Sequence, residues 1–295
     1  MSLHIVKKGI LDSIQDAGHY GRQHLGIGPG GVMDFIAFRT ANALVGNSKG
    51  EAVLEMHFPG PVIHFTADCL IALSGADFGA VIDGVDININ QPLVVNKDSI
   101  LRFQQKRNGA RCYLAVRGGL NNELFPYHFS GENEVVALPW KADLCGLYNN
   151  DRIRFVQGSF FCQLSESSRQ HFCNSPFSIT TQSNRMGYRL KGEALQLTEK
   201  QELVSAAVTK GTIQLLPNGQ LIVLMADHQT TGGYPCIGHV ISADIPSLAQ
   251  SDSGQALAFE SVSIAEAETL RLHQEQHLQQ LQYSCTFRMQ EYFSL

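Results

Sequence analysis

Short apolar runs broken by turn residues dominate the chain. Between Cys69 and Phe103 the runs CLIALSGA, GAVIDG, DININQPLVV and SILRFQQ follow one another with turn residues every eight to twelve positions. That rhythm predicts a β-barrel or β-sandwich. Residues 3–8 read as an opening strand ending at Gly9, and EAVLEMHFPGPVIHF as two strands split by a Pro-Gly-Pro break. RCYLAVRGGL (111–120) adds a strand closed by a double glycine, residues 151–200 resume the strand rhythm, and ALAFESV supplies a last barrel strand.

The most informative stretch is Lys210–Gln250. Alternation around Thr212, Ile213 and Leu215 leads into a Pro217-Asn218-Gly219 turn, and the apolar strand Leu221–Ala226 then delivers Asp227 at its end. The polar loop His228-Gln229-Thr230-Thr231-Gly232-Gly233-Tyr234-Pro235 follows. A carboxylate, an amide, two hydroxyls and a phenol gathered at a strand terminus point to a ligand loop, because glycines there cost backbone entropy unless a turn or a close approach needs them. The plain alternative is a hairpin followed by a surface loop.

Helical spacing is confined to two places. Asp34 is a suitable N-cap for FIAFRTANALVG, with Phe35, Phe38, Ala41, Asn42 and Val45 on one face and Gly46 just past the end. Near the carboxyl terminus Ser263 and Glu266 form a capping box for IAEAETLRLHQEQHLQQL, whose docking side is Ile264, Ala267, Leu270, Leu278 and Leu281. SNRMGYRLKG (183–192) reads as strand-turn-strand because a glycine separates Arg185 from Arg189.

Composition narrows the function classes. The 295 residues are 44% hydrophobic and 17% charged with a net charge of −5, a folded chain with no electrostatic case for nucleic acid or a membrane surface. No apolar run spans a bilayer and the amino terminus lacks a signal-peptide pattern, so a cytoplasmic location is expected. Seven cysteines without paired spacing suggest reduced thiols, and the eleven histidines form no zincin motif, so a dedicated metal site is not expected. Gly26-Ile27-Gly28-Pro29-Gly30-Gly31 lacks the Lys-Ser/Thr ending and the spacing of a nucleotide loop. Glu55, set among apolar strand neighbours, reads as a hydrogen-bonded structural carboxylate or as a general base. Asn42 is a buried amide or a ligand contact. Arg185 and Arg189 are solvated or clamp a carboxylate.

The motifs QDAGHYG (15–21), GGVMDFIAFRTANALVGN (30–47), LEMHFPGPVIHF (54–65), LSGAD (73–77), YLAVRGG (113–119), SNRMGYRLKG (183–192), GTIQLLPNGQ (211–220) and MADHQTTGGYP (225–235) carry a resemblance. The chain resembles the biotin-dependent carboxyltransferase, or allophanate hydrolase subunit 2, family. This is the group of the 5-oxoprolinase C subunit, of the regulator KipA, and of the corresponding part of urea carboxylase. The resemblance implies a mainly β, cyclophilin-like barrel architecture with a few helices and two subdomains, residues 1–155 and 156–295. It departs from the family in three places: a Gly-Ser-Arg-Ser-Thr segment is missing after Leu120, Leu221 stands where a proline is common, and so does Ser253.

What the resemblance implies about function is one component of an ATP-dependent 5-oxoprolinase, opening 5-oxo-L-proline to L-glutamate with a KipI-like B subunit and an A subunit, and inactive alone. Alternatives are a KipA-like regulator that binds a KipI-like protein, or a carboxyltransferase acting on urea or a related amide. ATP is used by the complex, and biotin would arrive only on a separate carrier. On the matched motifs Arg185, Asp227 and Glu55 are assigned to the chemistry. Asn42, Arg189, Gln214, Gln229, Thr230, Thr231 and Tyr234 are assigned to the small amide or lactam substrate.

Overall fold

In the computed structural model, which describes residues 3–120, 135–148, 152–199 and 203–293, the expected mainly β architecture is present with four α-helices among the described residues. The helices are α1 (Phe35–Leu44), α2 (Glu166–Asn174), α3 (Ile245–Ala249) and α4 (Ile264–Phe293). Two compact units are formed. The first comprises Met1–Ala17, Asp34–Cys145 and Glu275–Leu295, the second Gly18–Met33 and Gly146–Gln274. The chain crosses between the units at Ala17/Gly18, Met33/Asp34, Cys145/Gly146 and Gln274/Glu275.

The first unit packs a five-stranded sheet against a six-stranded one. Alternation along the strands turns Ile63, Phe65, Leu101, Ile71 and Leu73 into the shared core. The nine-residue strands Cys69–Asp77 and Asn108–Val116 lie antiparallel as its spine. Helix α1 starts where expected: the Asp34 Oδ1 accepts the N–H groups of Ile36 and Ala37 at 2.9 and 3.1 Å. Gly46, at φ 70°, follows the C-cap. The helix is buried over nearly all of its surface rather than on the single face expected, with only Phe35 and Arg39 partly open.

The second unit is a ring. Its eight strands run in the order 256–257, 177–179, 187–191, 221–224, 212–215, 236–240, 153–157 and 259–261. The first and last of these are neighbours in sequence, joined through Ala258 alone, whose carbonyl accepts the Ile153 N–H at 2.8 Å. The single strand expected from ALAFESV is therefore two short ones that finish opposite edges of one sheet. Phe155, Phe177 and Phe259 fill the interior, and Phe172 of α2 enters among them, 4.8 Å from the Phe259 ring and 5.0 Å from that of Phe155. Each buried aromatic of this kind stabilises the fold by about 1.5–3 kcal/mol.

Helix α2 departs from the strand rhythm expected over residues 151–200. ESSRQHFCN buries only Ser168 and Phe172, too narrow a stripe to show as periodicity. Helix α4 begins at the expected capping box, the Glu266 N–H donating to Ser263 Oγ at 3.1 Å, but it runs on to Phe293. Its buried residues are Gln274, Leu278, Cys285, Met289 and Phe293, while Ile264 is 64% exposed. Among the described residues no helix is long and apolar enough to cross a membrane.

Candidate functional site

The hairpin at the centre of the sequence pattern forms as expected. Thr212–Leu215 pairs antiparallel with Leu221–Leu224, and Gly219 turns the corner at φ 79°. On its other side Leu221–Leu224 pairs with Gly187–Lys191, placing Gly187 opposite Leu224. Hydrogen bonding continues beyond the strand ends: the Met225 N–H donates to the Met186 carbonyl at 3.1 Å, and the Asp227 N–H to the Arg185 carbonyl at 2.9 Å. This pairing brings Arg185 and Asp227 face to face. The guanidinium grips the carboxylate with both arms, Nε to Oδ2 at 2.7 Å and Nη2 to Oδ1 at 2.9 Å.

The glycine-rich segment is fixed against the same end of the ring. Arg185 Nη2 also donates to the Gly31 carbonyl at 2.6 Å, and Lys210 Nζ donates to the carbonyls of Val32 and Met33 at 2.9 and 3.0 Å. Two cations thus hold three consecutive carbonyls. Gly28 lies so close to His228 that a β-carbon there would meet the His228 carbonyl oxygen at 2.8 Å. The His228 Nδ1 is 2.7 Å from the Gln229 carbonyl, which assigns the proton to Nδ1. Its Nε2 is buried and without a hydrogen-bond partner among the described residues.

Beyond Asp227 the loop presents Gln229, Thr231 and Tyr234 to solvent, with Thr230 half-buried. Thr231–Gly232 pairs with Ala206–Ala207 as a small ribbon. Gln214 is buried near this ribbon, its Nε2 2.5 Å from where a Gly232 β-carbon would lie and without a partner among the described residues. Cys236 stands across from Gln214 in the neighbouring strand. Its Sγ is 3.2 Å from His239 Nε2, and His239 Nδ1 is 3.3 Å from Thr212 Oγ1. Burial pushes the Cys236 thiol above its ordinary value and the His239 imidazole below its own, so neutral forms are favoured at both.

The family model of the carboxyltransferase domain, subdomain A and B, matches residues 25–126 and 130–261. The chain belongs to this carboxyltransferase family. It is 33% identical to the 5-oxoprolinase C subunit of Escherichia coli (strain K12), over 95% of this chain and 97% of that protein. The crystal structure of the K. lactis urea amidolyase superposes with a TM-score of 0.81 at 22% identity, covering 95% of this chain and 20% of that one. The crystal structure of TTHA0988 gives 0.74 at 28% identity, over 88% of this chain and 55% of its own length. The chain therefore spans about a fifth and just over half of these two solved chains.

In this carboxyltransferase chain the candidate residues are divided between the two units. Arg185 and Asp227 meet in the second unit, next to the loop bearing Gln229, Thr230, Thr231 and Tyr234. Arg189 lies on the same strand as buried Tyr188 and Leu190 but points outward and is exposed. Glu55 and Asn42 belong to the interior of the first unit. Glu55, 1% exposed, accepts from the Tyr113 hydroxyl at 2.8 Å and lies 3.8 Å from Arg111 Nε. That hydroxyl itself accepts the Asp34 N–H at 2.9 Å, and burial together with Glu55 holds the phenol well above its usual range. Asn42 donates to the Glu51 carbonyl at 2.8 Å and accepts from Asn47 at 3.0 Å, a satisfied core amide. Both side chains thus make hydrogen bonds within the first unit.

Arg185 already spends Nε and Nη2 on Asp227 and Gly31, so it acts on the carboxylate and the glycine segment rather than as an open clamp. Lys210 was not singled out by sequence reasoning. It stands just before the GTIQLLPNGQ motif, but spacing cannot reveal that its partners are main-chain carbonyls far away in the chain. The departure from the family's Gly-Ser-Arg-Ser-Thr pattern falls on residues 121–134, outside the described residues.

Proposed function

We propose that this chain is the C subunit of an ATP-dependent 5-oxoprolinase, opening 5-oxo-L-proline to L-glutamate with a KipI-like B subunit and an A subunit. The observation that carries this reading is the 33% identity to the Escherichia coli protein over nearly the full length of both chains. A lactam is resonance-stabilised, so ring opening needs activation, with ATP consumed by the complex, and donors placed around the charge that develops. On this reading Asp227, oriented by Arg185, accepts a proton from water or from a donor on the substrate. Gln229, Thr230, Thr231 and Tyr234 orient the amide, and Arg189 and Gln214 are further contacts. The chain is inactive alone and works in the cytoplasm.

The match to the carboxyltransferase family model supports a second reading, carboxyl transfer to urea or a related amide, with biotin delivered on a separate carrier. The deciding experiment is glutamate release from 5-oxoproline by the three purified cognate subunits with ATP, compared with the same mixture lacking this chain. Release that depends on the chain supports the first reading. A stable complex with the KipI-like partner that gives no release rejects it in favour of a KipA-like regulator. Carboxylation of urea, dependent on an added biotin carrier, rejects it in favour of the transferase.

A further inference from the structure

Both sheets of the first unit end on the same stretch of chain. Leu3–Lys7 is an edge strand of the five-stranded sheet, and Ser13–Gln15 an edge strand of the six-stranded one. Along this stretch Ile5, Val6, Ile10, Leu11 and Ile14 are exposed by 40, 58, 63, 62 and 58%. Isolated surface apolar residues need no explanation, but these are five within ten positions, three of them on the two edge strands, and exposed apolar edges are ordinarily covered.

Beside the edge lies a groove of about 380 Å³, walled by Ile10, Pro59 and Phe103 and rimmed by Lys7, Lys8 and Arg102. None of these three cations forms an ion pair among the described residues. The neighbouring Asp12 turns its Oδ2 to the Gly9 N–H. A local excess of positive charge on a chain of net charge −5 defines what the groove complements: an extended segment, apolar with acidic side chains.

We propose that this edge seats the KipI-like partner, an acidic and apolar strand of which adds to Leu3–Lys7 and sets its carboxylates against Lys7, Lys8 and Arg102. The proposal rests on the chain's being one member of a complex. The matched TTHA0988 chain, of which this chain covers 55%, carries further polypeptide joined to the same fold.

The test uses the full chain and its purified cognate KipI-like partner. Hydrogen exchange of the amides in 3–15 is expected to slow on complex formation. The K7E/K8E/R102E variant, its melting temperature unchanged, is expected to raise the Kd at least about tenfold and to flatten its dependence on salt. Once the variant is saturated with partner, kcat of the assembled complex stays at the wild-type value. A complex that forms without protecting 3–15, or that the triple variant forms as tightly as the wild type, overturns the proposal and leaves the 5-oxoprolinase reading intact. Protection of the same amides by self-association of the chain alone assigns the edge to a second copy and likewise overturns it. If the wild-type chain and the KipI-like protein form no complex, both readings fail together.

Discussion

Arg185 and Asp227 are 42 positions apart in the chain, yet they face each other because the pairing of their strands extends past the strand ends. The two side-chain contacts, at 2.7 and 2.9 Å, are backed by the main-chain bond from Asp227 to the Arg185 carbonyl. Charge alone therefore does not define the arrangement. The planar fork does.

Arg185→Lys keeps the charge and loses the fork, so it is expected to behave like Arg185→Ala. Each, and Asp227→Asn, should lower kcat of the reconstituted complex by about 100-fold or more, the size of effect seen when an oriented polar group is lost. The melting temperature should move little, since both groups are partly open to solvent. Because the residues act as a pair, R185A/D227A should be scarcely worse than either single change. Full glutamate release by D227N would remove this pair from the chemistry.

Gly28→Ala tests the close approach to His228. Its β-carbon would meet a main-chain oxygen at 2.8 Å, so the 26–33 segment or the 227–228 turn must shift. The expected cost is about 1–3 kcal/mol of stability. A loss of complex activity beyond what the remaining folded fraction explains should accompany it, read by comparing denaturant unfolding with kcat. Gly50→Ala, where no atom lies within 4 Å, is the control and should leave activity unchanged.

Phe172→Ala empties the ring of the side chain that touches both Phe155 and Phe259. A cost of about 3–5 kcal/mol follows from lost burial and the cavity left behind. Calorimetry should show a lowered transition for the variant. A change below about 1 kcal/mol, on the scale of a surface substitution, would mean that α2 is not anchored by this ring.

Burial lowers the pKa of His239 below its ordinary 6.5. In the window between the two values the unfolded chain binds the proton and the folded chain does not, so folding is fully favoured above pH 6.5 and weakens as pH falls towards the lower folded value. Below that value both forms are protonated and the trend stops. His239→Gln should flatten this part of a plot of melting temperature against pH. The same burial raises the Cys236 thiol, so iodoacetamide at about pH 8 should label it more slowly than exposed Cys145 or Cys162, as mass spectrometry would report.

Period-two alternation and turn residues made the barrel strands legible, and Asp34 and Ser263 marked the starts of two helices because capping is a local chemistry. Helix α2 was not legible, since a single large side chain, Phe172, anchors it. The far half of α4 escaped as well: its stripe of Cys285, Met289 and Phe293 mixes residue types that do not read as one apolar face. At the site, Asp227 and its loop could be read from clustering at a strand end. Lys210 could not, and the interior positions of Glu55 and Asn42 were fixed only by contacts with Tyr113, Arg111 and Asn47, which lie outside any local pattern.

Ala258 alone joins the two strands at the edges of the second unit's sheet, so both edges are completed by one late stretch of chain. Strand Ile153–Gln157 is made early, but its parallel neighbour Phe259–Ser261 and the opposite edge Ala256–Leu257 emerge from the ribosome only at the end of the second unit. Until then the second unit's sheet is open with bare edges, the form most prone to pairing with other chains. A transcript truncated before Phe259 would yield an unlatched sheet, not a smaller barrel.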